Sequence, residues 1–242
     1  MNDRRAILMV NPLPITAVLF DFHATLADGG DPFAVLDGAW ARCGRRGSAA
    51  GELGLDRYQR VAQAVHHLWD RVREVDPEGR RDLSTKQHRE VFDALMRILP
   101  EVDPELAGAL YAVMPEFWRP YEDALPTLLE LRRRGVGLAL VSDTAIDLRP
   151  ILARCGLLEL FDAVILSVEQ GAVKPGARMF QQALDALGVP AANALMVGDN
   201  PYNDAGAAAL GVRTLLLPRT EGPTHGLDLV IRMIGQGAGR PD

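Results

Sequence analysis

Cysteine is scarce in this chain of 242 residues: there are two, Cys43 and Cys155, far apart in sequence. Neither sits in a CxxC pair or near a histidine at ligand spacing, which argues against a zinc site. Two isolated thiols fit a reducing cytoplasm. Long apolar runs are also missing. The run Ile7-Leu8-Met9-Val10 is cut off by Asn11-Pro12. It is too short for a signal core, and no run approaches the length of a membrane span. Nor is there an excess of positive charge. The formal net charge is −6, with acids and bases interspersed, so no general affinity for nucleic acid or anionic membrane is expected. The pair Arg45-Arg46 and the trio Arg132 to Arg134 read as solvated faces, the trio also favourable to a helix dipole. What is present is 48% apolar and 24% charged, an ordinary globular composition. The length suits one large α/β domain, or a core domain with a smaller insert.

Five short apolar runs stand out: Ile15 to Phe20, Val136 to Val141, Ala163 to Leu166, Ala194 to Val197 and Val212 to Leu217. They are continuous rather than alternating, the pattern of strands buried on both faces of a parallel sheet. Between the last four lie amphipathic stretches at Ile146 to Cys155, Ala177 to Leu187 and Ala205 to Leu210. Strand and helix in alternation predict a doubly wound, Rossmann-like α/β sheet. Gly135, Gly156, Gly188 and Gly211 punctuate the helix ends.

From about Asp31 to Trp118 the rhythm breaks, and four helical stretches replace the strand signal. Asp31-Pro32 and Asp103-Pro104 are N-cap and N1 proline starts. Ser84-x-x-Gln87 is a capping box ahead of Val91, Leu95 and Ile98. Leu55 to Val75 carries Val61, Val65, Leu68 and Val72 at helical spacing. The expected division is an α/β core of residues 1–28 and 120–242, with a helical cap of residues 29–119 inserted after the first strand. Inserts of this kind commonly cover a site at the carboxyl edge of the sheet.

Polar residues collect at the strand ends. The first strand ends at Asp21, followed by His23 and Thr25. The second ends at Ser142-Asp143-Thr144. Lys174-Pro175 follows the third. The fourth runs into GDNPYND, with Asp199 and Asp204. In a parallel sheet these ends share one edge, so the residues can converge there. Two or three carboxylates crowd a low-dielectric edge only with a cation among them. A hard divalent ion such as Mg²⁺ satisfies them through oxygen ligands and leaves positions for water and phosphate. A lysine facing them offers positive charge to a phosphoryl oxygen. A free carboxylate can then act as nucleophile, splitting one displacement into two.

This arrangement resembles the haloacid dehalogenase superfamily, in its phosphatase-like branch. The resemblance rests on FDFHATL at 20–26, LALVSD at 138–143, Lys174-Pro175 and VGDNPYNDAGAAALG at 197–211, four motifs in family order over roughly residues 14–220. It implies Asp21 as the nucleophile attacking phosphorus. Ser142 would bind the phosphoryl group, with Thr25 and Asp143 also on the substrate. Lys174 would pair with nucleophile and phosphate. Mg²⁺ would be held by Asp21, Asp199, Asp204 and the backbone carbonyl of His23. The substrate would be a small phosphorylated metabolite.

The departure from the family is His23, where a second acid is usual. A backbone carbonyl does not depend on its side chain, so the metal site is expected to survive. Imidazole titrates near ~6.5 when unperturbed and can exchange protons at neutral pH. Three readings stand side by side: His23 as the working acid/base, a conventional metal site with the proton handled by water or a narrower substrate, and a non-catalytic phosphometabolite-binding descendant. A metal-independent 2-haloacid dehalogenase also lacks the second acid, but the GDNPYND pair argues against it. Phosphonate cleavage through a cap Schiff base ranks lower, because Lys86 is the only lysine between residues 29 and 119. His66, His67 and Trp69 lie on a cap helix and could face the substrate, but adjacent histidines point different ways on a helix, so a structural or surface role is the favoured reading. Asp143 and Thr144 are also candidate caps for the next helix. Tyr202 is placed to touch the cap or simply to pack.

Overall fold

A computed structural model describes residues 13–220 and 222–235. The run Ile7 to Val10 lies outside the described residues. The chain enters strand β1 (Ala17–Phe20), turns, and forms a short strand β2 (Ala27–Asp28). Helices α1 (Pro32–Arg42), α2 (Ala49–Leu53) and α3 (Leu55–His66) follow. Two 3-10 turns, Leu68–Glu74 and Arg81–Leu83, lead to α4 (Thr85–Met96) and α5 (Pro104–Phe117). Strand β3 (Arg119–Pro120) pairs antiparallel with β2. Then come α6 (Ala124–Arg133), β4 (Gly137–Ser142), α7 (Arg149–Arg154) and β5 (Ala163–Leu166). The chain closes with α8 (Ser167–Gln170), α9 (Ala177–Leu187), β6 (Ala194–Gly198), β7 (Arg213–Leu216) and α10 (Asp228–Ile234). Among the described residues no helix is long and apolar enough to cross a membrane.

The five long strands form one parallel sheet in the order β5-β4-β1-β6-β7. The fold is therefore the α/β, Rossmann-like class that the apolar runs predict. Each of those runs contains the observed strand to within a residue or two. β1 is central because its four residues are apolar and buried on both faces. The chain crosses to one side of β1 for β4 and to the other for β6. That reversal opens a crevice at the carboxyl ends of these three strands.

The helices from α1 to α5 bury their apolar faces against one another, around Leu36, Val61, Phe92, Leu106 and Leu110. Their starts follow from the caps read in the sequence. Asp31 accepts the amide of Phe33, Ser84 that of Gln87, and Asp103 that of Leu106. Such caps are worth about 0.5–2 kcal/mol each. Three details differ from the sequence reading. The helical insert contains five α-helices rather than four helical stretches, because Gly54 (φ 78°) breaks α2 from α3. The Leu55 to Val75 pattern stops being α-helical after His66 and continues as the 3-10 turn at Leu68–Glu74. Asp204–Leu210, where an α-helix was expected, is also a 3-10 segment.

Glycine fixes the end of β6. A β-carbon on Gly198 would overlap the carboxyl group and β-carbon of Asp204, and one on Gly206 would overlap Pro175. Both glycines thus permit the acid loop to fold back on the strand end and on the segment carrying Lys174. Gly198→Ala must push Asp204 aside. We expect a loss of about 1–3 kcal/mol in urea unfolding, typical of overpacking. A variant as stable as the wild type would show that Asp204 is not held by this contact.

Candidate active site

The strand register explains why distant acids meet. Phe20 pairs with Leu140 on one side and Val197 on the other, so Asp21 sits one step beyond, level with Val141 and Gly198. Neighbouring strands lie about 4.8 Å apart, so the residues leaving β1, β4 and β6 share one small volume. One carboxylate oxygen from each of Asp21, Asp199 and Asp204 lies within 4.8 Å of the others. Lys174 enters from the loop after α8. Its ammonium donates to Asp21 Oδ1 at 2.8 Å and to Asp204 Oδ1 at 2.6 Å. The second oxygen of Asp204 accepts the amide of Asn200 at 2.9 Å. Asp199 instead accepts from Arg219 Nε at 2.6 Å.

The charges are uncomfortable in this arrangement. Burial pushes the carboxyls of Asp21 and Asp204 above the usual range, with Lys174 opposing the shift in both. Burial raises Asp199 as well, against the pull of Arg219. For Lys174, burial alone would lower the ammonium, but Asp21, Asp204 and Asp143 outweigh it and hold it well above the ordinary lysine range. Three buried or half-buried carboxylates with one shared ammonium are short of positive charge. A hard, oxygen-seeking divalent cation supplies what is missing, so the donor set fits Mg²⁺.

The turn after β1 completes the rim. Phe22 carbonyl accepts from the amides of Thr25, Leu26 and Ala27, and Ala24 donates to the carbonyl of Ala27. Ala24 adopts φ 58°, the left-handed region that side chains disfavour. Among the described residues the carbonyl oxygen of His23 accepts no hydrogen bond. Thr25 is fully buried, and its hydroxyl has no partner among the described residues. Ser142, at the end of β4, is buried and lines a cavity beside the acids. Asp143 caps no helix. Its Oδ1 accepts the backbone amide of Lys174 at 2.9 Å and so fixes the lysine loop. Burial pushes Asp143 up to about 7.

His23 packs edge-on against Trp118, with ring centroids 5.0 Å apart. Burial lowers its imidazole to about 4, helped by the charges of Arg219 and Arg81. The side chain is therefore neutral at pH 7 in this state, well below the range of an unperturbed histidine.

Two openings flank the acids. One is a cavity of about 180 Å³ with aromatic walls, the other a wider, polar cleft of about 840 Å³ that reaches Lys174 and Asp199. Trp69, Arg81, Asp82, Asp143 and Arg219 border both. Trp69 packs against Phe92 and His88, as a structural residue would, and also faces a cavity. It is only partly exposed, lines the cavity and stacks under Arg81. His66 stands at the same cavity, while the exposed His67 pairs with Asp70. Tyr202 is exposed and carries Arg73 of the 3-10 turn over its ring. The sequence reading missed Arg81, Asp82, Trp118 and Arg219. Their only signal was proximity in the fold, which no local pattern announces.

A family model of haloacid dehalogenase-like hydrolases matches residues 15–211. The chain belongs to that family. Within it, 122 residues are 42% identical to a phosphoserine phosphatase of Thermus thermophilus, covering 50% of this chain and 49% of that protein. The chain thus spans about half the length of that relative. A glyceraldehyde 3-phosphate phosphatase of Methanopyrus kandleri is 31% identical over 214 residues, covering 85% of this chain and 84% of the relative. The solved L-2-haloacid dehalogenase of Xanthobacter autotrophicus shares the fold at TM-score 0.60 and 25% identity, over 92% of this chain and 85% of that one.

A titratable group outside the acid cluster gives a test of this packing. His88 Nδ1 meets the Tyr111 hydroxyl at 2.9 Å, and burial, with the charge of Arg81, lowers the ring to about 4. The unfolded imidazole binds a proton near ~6.5, so His88 favours the folded state above that pH. This contribution shrinks as pH falls from there toward about 4. We expect the melting temperature of His88→Gln to fall less than that of the wild type between pH 7 and pH 5. Identical acid slopes in the two proteins would remove His88 from the account.

Proposed function

We propose that this protein is a Mg²⁺-dependent phosphatase that hydrolyses the monoester of a small phosphorylated metabolite through an aspartyl-phosphate on Asp21. The observation that carries this reading is the bridge from Lys174 to Asp21 and Asp204, with Asp199 alongside. Relatives named as phosphatases of phosphoserine and glyceraldehyde 3-phosphate support it.

In this reading Lys174 orients the nucleophile through Oδ1, leaving the other oxygen of Asp21 to attack phosphorus. The new O–P bond forms as the ester P–O bond breaks, and the electron pair leaves with the alcohol oxygen. Ser142 and Thr25 offer hydroxyls to the phosphoryl oxygens. Asp21, Asp199, Asp204 and the unengaged carbonyl of His23 are the residues to hold Mg²⁺, which neutralises the acids and the phosphoryl charge when bound. Asp143 acts through Lys174, whose backbone it holds. A neutral His23 carries no spare proton for the leaving group, which then takes one from water. It can accept a proton from the water that attacks the phospho-aspartate, releasing phosphate and restoring Asp21. In this reading residues 29–119 act as a cap over the carboxyl ends of the sheet and would shield the reaction from bulk water.

A metal-independent dehalogenase is the competing reading. It predicts an ester on Asp21 from a 2-haloacid and turnover that survives chelation. A non-catalytic phosphometabolite-binding protein would release neither phosphate nor halide.

The deciding experiment is a panel of phosphate esters and 2-haloacids with Mg²⁺ and with EDTA. Phosphate release abolished by EDTA and by Asp21→Asn, in a variant that still folds, is expected. Halide release that persists in EDTA overturns the proposal. For His23→Ala we expect a turnover loss of about 10²-fold or more, as for removal of a working base. Half-saturation by Mg²⁺ should stay within about threefold, since the carbonyl remains. Unchanged turnover in that variant would assign both proton transfers to water.

A further inference from the structure

The chemistry at the sheet rim does not explain the walls of the cavity of about 180 Å³. Phosphoryl transfer uses acids, an ammonium and hydroxyls. It has no need of Phe22, Trp69, Phe92, Met114 and Trp118, which give this cavity an apolar, largely aromatic lining. A dry cavity of about 150 Å³ admits one benzene ring. The space here is therefore that of one ring or a chain of similar bulk.

The lining also carries ionisable groups: Asp70, Asp82 and Asp143, and the two cations Arg81 and Arg219. The guanidinium of Arg81 lies 4.5 Å over the ring of Trp69. Its Nε donates to Asp82 Oδ2 at 3.0 Å, and its Nη atoms form no hydrogen bond with any described residue. The side chain is 23% exposed, so part of it faces the cavity rather than bulk solvent. The donors are also held in place. Asp76 accepts the amides of Arg80 and Arg81 at 3.0 and 2.9 Å, and Ser167 Oγ bonds the carbonyl of Asp82 at 2.6 Å. Two other polar wall groups are already engaged. His88 meets Tyr111, and Arg219 holds Asp199. A planar guanidinium with free donors, stacked on an indole, is suited to bind a carboxylate.

We infer that the leaving group of the substrate is a compact apolar body of one-ring size bearing a carboxylate, which docks on the free Nη donors of Arg81. The inference rests on the phosphatase reading for its chemistry, but binding tests it separately. The phosphoryl group stays at the rim with Lys174, Ser142 and Thr25, and the body of the leaving group lies along Trp69.

Two substrates differing only in the carboxylate isolate this contact: phenyl phosphate and carboxyphenyl phosphate, as its 3- and 4-isomers. In the wild type, kcat/KM for the better carboxylated isomer is expected to exceed that for phenyl phosphate by at least about tenfold. In Arg81→Met that ratio should fall at least about tenfold, and Arg81→Lys should restore part of it. Titration calorimetry with benzoate provides the arm that needs no turnover: binding to the wild type and none to Arg81→Met. A wild type with no preference, or a ratio that Arg81→Met leaves unchanged, overturns the inference while the phosphatase reading stands. Should no phosphate ester be hydrolysed at all, that reading fails, and benzoate alone decides whether Arg81 is a carboxylate site. Thermal melts of both variants establish that they fold.

Discussion

The buried ammonium of Lys174 is the interaction on which the rest of this site depends. It touches Asp21 from the first strand and Asp204 from the last motif, residues far apart in sequence. It opposes the burial and the like charges that raise both carboxyls. Breaking such a buried pair typically costs about 3–5 kcal/mol, since it leaves an uncompensated charge. The surrounding chain serves to place that one nitrogen. Asp143 grips the lysine's amide, and Gly206 lets the acid loop close over Pro175.

Even so, one ammonium does not balance three acids. The remainder falls on Arg219, which holds Asp199 and reaches Asp70 of the 3-10 turn at 3.7 Å. Arg219 therefore ties an acid of the sheet rim to the helical side of the molecule. A divalent cation among the three acids would compete with it for Asp199. The Arg219 side chain that makes both contacts is largely exposed.

Much of this was legible in the sequence because the acid cluster is a product of strand order and register. Apolar runs fix where the strands end, and a parallel sheet brings those ends together. That logic located Asp21, Ser142, Asp199 and Asp204 without any knowledge of their contacts. It also justified reading Lys174 as more than a surface lysine. It could not locate Arg81, Asp82 or Arg219. Arg81 and Asp82 sit in a short 3-10 turn whose position depends on Asp76 and on Ser167, the latter 85 positions downstream. No periodicity marks such a docking. The neutrality of His23 was hidden for the same reason: it comes from burial and from the nearby arginines, not from neighbours in sequence. The short pair β2 and β3 escaped notice because two residues per strand leave no pattern to read.

The fold itself does not choose between cleaving phosphorus–oxygen and carbon–halogen bonds, for proteins of both kinds share it. The number of acids does bear on the choice. Displacing a halide from a 2-haloacid brings in one carboxylate and needs one nucleophile. Two further carboxylates within 4.8 Å of that nucleophile have no part in such a displacement. A phosphate monoester would bring about two negative charges, which a divalent cation held by those acids would offset. The lysine that a Schiff-base route needs is likewise missing from the helical side. Lys86 is exposed and faces Glu90 at 3.8 Å, away from either opening beside the acids. What carbon–halogen chemistry leaves without a purpose is the pair Asp199 and Asp204, and that pair is the feature β6 and its glycine are shaped to present.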